Sequence, residues 1–329
     1  VKGYAGYYIG MYNDSSKPQF SVGEFWAEKD AIVNWLRETG RFISKNPNSQ
    51  DNTKFTPQSA AFDFGLKTII NKAFNGEFNA NALKDKSIAG WVGMNRWAVT
   101  FVDNHDTYRE SGMKMENDRN VLAANALILT IPGTPCIFYP HWTAHKDALK
   151  AMIAARKLAG ISNESEITQQ NGISYGKGYR VRVEGSRGTI LLDLGTPSDR
   201  FLEGFCSVWR GDENNHNFAM YVSLDCMLAV PEKEKAVFFE APADWGNEVY
   251  CYAWRGKTEY TPAWPGEKME RVATAANGNA IFKWTYRGKD KTLPAKVIFN
   301  NGSNQTNNFT FVKNGYYTLT GRKFDVLTK

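Results

Sequence analysis

Along the first 160 or so residues, short apolar runs alternate with segments whose apolar side chains recur at helical spacing. "YAGYYIGMYNDS" reads as a helix. "FSVGEFW" reads as a buried strand, because Phe20, Val22 and Phe25 are apolar with β-compatible shapes. In "AEKDAIVNWLRETG", Ile32, Val33, Trp35 and Leu36 fall on a helix that stops at Gly40. "SAAFDF" and "GLKTIINKAFNG" repeat the strand-then-helix order. So do "WAVTFVDNHD" with "RNVLAANALILTI", and "PCIFYPHW" with "KDALKAMIAARKLAGI". Near-continuous apolar strands followed by helices are what a buried parallel sheet requires, so the pattern predicts four strand–helix units. Around Ser162 the rhythm changes: "GISYGKGYRVRVEG", "GTILLDLG" and "NFAMYVSL" are short alternating strands with Gly-rich turns. They predict a small antiparallel β domain, followed by the charged linker "VPEKEKA". From Val237 the strands resume as "AVFFEAP", "EVYCYAW", "AIFKWTY", "AKVIFNN", "FTFVKNG" and "YYTLTG", the even spacing of an immunoglobulin-like β-sandwich. The expected domains are 1–161, 162–230 and 237–329.

Composition narrows the class. The 329 residues leave room for two or three domains, and 42% hydrophobic with 22% charged residues is a globular balance. Aromatics reach 14%, with ten Trp and fifteen Tyr, which fits either a packed core or exposed rings that stack on sugars or bases. The net charge is +6, but the basic residues are scattered rather than striped, so no nucleic-acid partner is expected. No apolar run approaches the ~20 residues of a membrane span, and no membrane partner is expected. Cys136, Cys206, Cys226 and Cys251 form neither a CxxC nor a zinc-like spacing. Pairing of Cys206 with Cys226 in an oxidising compartment stays open. The first residue is Val and no signal peptide precedes it, so the chain is expected to start inside something longer or to have lost a segment.

Two predicted strands end in charged groups: one at Glu24, the other in "FVDNHD" with Asp103, His105 and Asp106. Where strand–helix units form a barrel, the C-terminal strand ends carry the chemistry. Two carboxylates facing one another there can run glycoside hydrolysis, one as acid, the other as nucleophile or stabiliser of an oxocarbenium-like state. Phe25 and Trp26 are expected to desolvate the Glu24 carboxyl, which suits a general acid. A strand-end Glu can also be merely structural. Four adjacent polar groups after an apolar strand gain nothing from burial, and they read as a cluster for a ligand's hydroxyls.

These residues carry a resemblance. "FVDNHDT" resembles the strand-seven motif of the α-amylase family of glycoside hydrolases, and "GEFW" its strand-five motif. "TIPGTPCIFYPHW" resembles the strand-eight region, and "VKGYAGYYIGMY" the segment directly after the strand-four motif. The resemblance covers roughly the first 160 residues. It implies a partial (β/α)8 TIM barrel, strands five to eight, and retaining endo-hydrolysis of α-1,4-glucosidic bonds in starch and related glucans. It assigns Glu24 as general acid/base, Asp106 as the second carboxylate that binds and distorts the sugar, His105 as a donor to that sugar's hydroxyls, and Lys2 as a contact on the leaving-group side. The family's nucleophilic aspartate lies just before the alanine that precedes "VKGY", and so falls outside this sequence, as do strands one to four. Another carboxylate, such as Asp63 or Asp103, or one from a partner chain, would have to serve. The family binds calcium. Gly3 could offer a backbone carbonyl, but the Asn and Asp partners are missing, so no metal or other cofactor is expected. Four parallel strands leave two open edges, which invites a homodimer that completes the barrel. The alternative is a starch-binding protein without hydrolytic function.

In "EVYCYAWRGKTEYTPAWPGEKM", Tyr250, Tyr252 and Trp254 share one strand face, and Trp264 follows in a Pro/Gly-flanked turn. That face is either core or a platform for glucose units. The segment resembles starch-binding modules found at the ends of amylases. This implies Tyr252 and Trp264 as the stacking pair, Tyr250 as a neighbour, and Gln305 in "NNGSNQT" either as a partner to sugar hydroxyls or as a turn residue. Starch is too large to enter cells, so an extracellular or periplasmic location is expected.

Overall fold

The computed structural model describes residues 2–70, 72, 81–109, 112–115, 118–172, 178–195, 202–212, 218–288 and 292–328. The chain forms two compact units, Val1–Ser198 with Val208–Met220, and Asp199–Ser207 with Tyr221–Lys329.

The first unit runs α1 (Lys2–Ser16), β1 (Val22–Gly23), α2 (Lys29–Glu38), β2 (Ala60–Phe62), α3 (Phe64–Ile70), α4 (Ala82–Lys86), β3 (Ala98–Phe101), α5 (Asp118–Thr130), β4 (Thr134–Cys136), α6 (Tyr139–Ala144) and α7 (Lys146–Ala159). Its four strands pair in parallel in the order β1-β2-β3-β4, with Val22 opposite Ala60, Ala61 opposite Ala98 and Val99 opposite Thr134. The parallel register puts the residues that follow each strand at one end of the sheet. Helix α2 buries Ile32, Val33, Trp35 and Leu36, the stripe its spacing predicts. Helix α5 is buried from Val121 to Thr130 and has no polar face to show solvent. Its C-terminal carbonyls are satisfied by buried Arg156 of α7, whose guanidinium donates to Leu129 O, Ile131 O and Gly133 O at 2.7–2.9 Å.

Two expected strands change. "FSVGEFW" is strand only at Val22–Gly23. Phe20 is 60% and Val22 40% exposed, because β1 is an edge that pairs with β2 alone among the described residues. "PCIFYPHW" stops being strand at Cys136 and becomes α6, with Pro140 in the first turn, where a missing N–H costs nothing. Parts of "GLKTIINKAFNG" and "GISYGKGYRVRVEG" lie outside the described residues.

Five strands follow: β5 (Glu166–Gly172), β6 (Tyr179–Glu184), β7 (Thr189–Leu194), β8 (Phe205–Arg210) and β9 (Phe218–Ser223), in the sheet order β5-β6-β7-β9-β8, with β5–β6 and β6–β7 antiparallel. The first residues of β8 and the last of β9 belong to the second unit. The second unit continues with α8 (Leu224–Met227) and then β10 (Ala236–Ala241), β11 (Tyr250–Arg255), β12 (Thr258–Glu259), β13 (Glu267–Lys268), β14 (Glu270–Thr274), β15 (Ala280–Thr285), β16 (Lys296–Asn300), β17 (Phe309–Thr310), β18 (Gly315–Thr318) and β19 (Gly321–Asp325). One sheet orders β14-β15-β10-β18-β19, the other β12-β11-β16-β17 with β13 on β11. Between them Val237, Phe239 and Trp284 meet Cys251, Ala253, Val297 and Phe299, and the Phe239 and Phe299 rings stack at 4.6 Å. All four cysteines are free thiols; Cys206 and Cys226 are buried and unbridged. Burial pushes the Cys206 thiol up to about 12.

Candidate functional site

Glu24 directly follows β1. The strand comes so close to α2 at this point that a Cβ on Gly23 would lie 2.2 Å from Trp35 Cη2, so only glycine fits before the glutamate. The expected desolvation of Glu24 is absent. Its side chain is exposed, and the neighbouring rings turn away: Phe25 toward Trp35, Trp26 onto Phe64 at 4.9 Å between centroids. Trp26 acts as a donor instead, its Nε1–H reaching Glu24 Oε1 at 2.8 Å. The same oxygen receives Asn104 Nδ2–H at 3.4 Å, which ties the end of β1 to the loop after β3.

That loop does not act as one polar cluster. Asp103 turns inward and is buried. Its Oδ1 faces Lys67 Nζ of α3 at 2.8 Å and its Oδ2 faces His141 Nε2 of α6 at 3.4 Å, while Met115 N–H donates to both oxygens. His141 Nδ1 is in turn 3.3 Å from Asn125 Nδ2 of α5. Residues 104–106 turn outward, while Thr107 stays buried. Asn104 Oδ1 accepts the N–H groups of Asp106 and Thr107 at 3.1 and 2.7 Å, and Thr107 Oγ1 accepts Asn104 N–H at 2.9 Å. This small knot leaves His105 exposed and Asp106 half-buried, with His105 Nε2 3.4 Å from Asp106 Oδ2. Glu24 and the segment carrying His105 and Asp106 are thus brought together through Asn104. Lys2 lies in the first turn of α1, and its side chain is outside the described residues.

Asp63 and Asp103, the two other strand-end carboxylates, are both buried. Asp63 is buried, with Oδ1 accepting Leu66 N–H at 3.0 Å as a cap on α3 and Oδ2 accepting Ala89 N–H at 2.9 Å. Desolvation outweighs those backbone bonds and raises its carboxyl to about 6. Asp103 is buried too, and desolvation pushes it up. Hydrogen bonds from His141 and Lys67 and the charge of Lys67 prevail, and its carboxyl lies below the usual range. The contrast comes from the partners: backbone N–H groups around Asp63, the Lys67 ammonium and a His141 hydrogen bond around Asp103. Among the described residues no group of three or more His, Cys, Asp or Glu side chains is placed to hold a metal ion.

Lys67 and His141 were not legible as site residues. The signal for Lys67 is its place in the stripe Phe64, Lys67, Ile70, all buried: a lysine in an apolar stripe needs a buried partner. His141 was hidden by reading its segment as strand.

On the sandwich, Tyr250, Tyr252 and Trp254 of β11 point away from the core, half-buried, while Cys251 and Ala253 face it and are fully buried. Trp264 is 47% exposed, 5.8 Å from the Tyr252 ring at 67°, and Trp254 lies 5.5 Å from the same ring at 33°. The Trp264 turn is pinned to the sheet by Asn300 Nδ2–H, which donates to Pro265 O at 2.9 Å. Gly266 has φ +100°, and a Cβ there would lie 2.2 Å from Cys251 O, so this turn needs glycine. Gln305 is exposed and bridges Asn300, which itself pairs with Tyr250, so Gln305 stands in the same row as the aromatic face.

Residues 237–311 match the family model of starch-binding module 26. The chain is 41% identical to the alpha-amylase type B isozyme of Hordeum vulgare over 104 residues, 30% of this chain and 67% of the relative. It is 32% identical to the glucan 1,4-alpha-maltotetraohydrolase of Stutzerimonas stutzeri over 244 residues, 64% of this chain and 41% of the relative. The corresponding enzyme of Roseateles saccharophilus is 27% identical over 348 residues, 93% of this chain and 59% of the relative. The chain thus spans about half the length of these two maltotetraohydrolases. By its identity to the Hordeum vulgare isozyme over two thirds of that relative, together with the starch-binding module match, the chain belongs to the α-amylase family of glycoside hydrolases.

Proposed function

We propose that this chain carries part of the catalytic site of a retaining endo-hydrolase of α-1,4-glucans, joined to a starch-binding sandwich. The domains in this reading are a partial TIM barrel at 1–161, an antiparallel β domain at 162–230 and the module at 237–329. Glu24 serves as general acid/base and Asp106 as the second carboxylate, with His105 on the sugar hydroxyls and Lys2 on the leaving-group side. The observation that carries the reading is the Asn104 bridge, which couples Glu24 to the loop of Asp106. Two working carboxyls in a retaining site stand about 5–5.5 Å apart. With Asp63 and Asp103 buried, neither serves as the nucleophile in this reading. Reducing-end release from soluble starch, with and without Glu24, is the test.

The sandwich binds starch through Tyr252 and Trp264, with Tyr250 and Gln305 beside them. Trp264→Ala is expected to abolish retention on insoluble starch, since it removes the exposed indole of the stacking pair. Retention equal to the parent chain would remove Trp264 from the site.

The open edges of β1 and β4 are proposed to be covered by a second copy that completes the barrel, which fits the exposure of Phe20 and Val22. Light scattering should then give twice the chain mass of 37.1 kDa; a well-behaved monomer rejects the dimer. In this reading, with polymeric starch as substrate, the protein acts in the extracellular or periplasmic space.

A further inference from the structure

We propose that Glu248 and Glu259 are positioning residues of the starch-binding face, each holding the ring of one platform tyrosine through its phenolic hydroxyl. The inference rests on the starch-binding reading above and deepens it. Tyr250 donates its hydroxyl to Glu248 Oε2 at 2.8 Å, and Tyr252 donates to Glu259 Oε1 at 2.5 Å. Glu248 is itself held from its other oxygen by Lys268 Nζ at 2.5 Å, and Lys268 stands directly opposite Tyr250 in the β11–β13 pairing. Glu259 stands opposite Trp254 in the β11–β12 pairing. The two carboxylates therefore bracket the row Tyr250, Tyr252, Trp254 at its two ends.

An exposed tyrosine on a strand is otherwise free to hop between staggered side-chain wells. A pyranose stacks only on a ring held in one orientation, and fixing that orientation beforehand removes an ordering cost from binding. The donated hydrogen bond has a second effect. A phenol that gives its proton toward a carboxylate gains electron density, which makes the ring face more negative against the polarised C–H groups of a sugar. Hydrogen bonding to Glu248 and to Glu259 also raises the two phenols above their ordinary range, so the pairing has a spectroscopic signature. Both glutamates are exposed, Glu248 in the loop before β11 and Glu259 on the short strand β12, and take no part in the sandwich core, so their truncation spares folding.

The test is a double-mutant cycle on affinity for a linear malto-oligosaccharide, with retention on insoluble starch in parallel. Glu259→Ala and Tyr252→Phe are each expected to weaken binding about threefold to tenfold, the range of one net hydrogen bond. The double variant is expected to be no weaker than either single one, because both changes remove the same bond. Ultraviolet titration of Glu259→Ala should show one phenol ionising at lower pH than in the parent. Unchanged affinity in Glu259→Ala overturns the proposal, and so do losses that multiply in the double variant. Trp264→Ala separates the two readings. If it abolishes retention while Glu259→Ala changes nothing, only the positioning role falls; if it too leaves retention intact, the starch-binding reading falls with it.

Discussion

Glu24→Gln is expected to lower reducing-end release from soluble starch by about 10²–10⁴-fold, the usual contribution of a positioned general acid/base. The substitution is informative because it changes so little else. The amide keeps the size of the side chain and an oxygen for the Trp26 and Asn104 donors that now share Oε1, so the link between β1 and the 104–107 loop survives. What is lost is the ability to give a proton to the leaving oxygen and take one back from water. Retention on insoluble starch should not move, since the aromatic face belongs to the other compact unit. The measurement needs protein of verified intact mass, so that no co-purified amylase supplies the rate. Equal hydrolysis by parent and variant would reject Glu24 as acid/base. Starch binding without hydrolysis in both would make Glu24 a relic in this chain and leave the sandwich as the functional part.

How much of this was legible in the sequence depended on whether the decisive contacts were local. The stripe of α2 and the alternation of Tyr250, Tyr252 and Trp254 with Cys251 and Ala253 follow from backbone periodicity, and both are as the pattern reads. The motif after β3 was visible as polar residues after an apolar strand, but not its division. Asp103 turns inward because Lys67 and His141, 36 and 38 positions away along the chain, are folded against it, and no local pattern encodes that. The exposure of Phe20 and Val22 was hidden for the opposite reason: their residue types fit a buried strand, whereas their burial depends on what pairs with the outer edge of β1. Strands β5, β8, β14 and β19 escaped because "EITQQNG", "FCSVWR", "ERVAT" and "GRKFD" mix polar and charged residues into both faces, as sheet edges and solvated surfaces do. Three of the four lie at the end of their sheet, and β8 does as well, so edge position accounts for all of them.

Asp103→Asn should destabilise the first unit by about 3–5 kcal/mol, because removing one partner of a buried ion pair leaves the other charge uncompensated. Lys67 is that partner. It is buried, its ammonium faces Asp103 at 2.8 Å, and an amide oxygen cannot neutralise it. Urea denaturation followed by hydrogen exchange at β3 and α3 would show the loss, and exchange in the sandwich core should stay as it was. A cost below about 1 kcal/mol would mean the pair is solvated and the burial argument wrong. Pairing the change with Lys67→Met should recover most of the stability, since two apolar or neutral groups replace two charges. The pH dependence has a definite sign. The folded-state carboxyl of Asp103 lies below its ordinary value of 3.8, so its contribution is fully present above that pH and is lost as pH falls through the folded value; the variant should lack this acid-labile part. Asp63 works in the other direction. Its folded value near 6 exceeds 3.8, so the protonated form is favoured by folding, and its contribution is fully present below 3.8 and lost as pH rises through about 6. Between pH 4 and 6 the parent chain should therefore gain stability from Asp63 on acidification while Asp103 still holds. Only below that window does Lys67 lose its counter-charge, and the loop that carries Asn104, His105 and Asp106 loses its anchor with it.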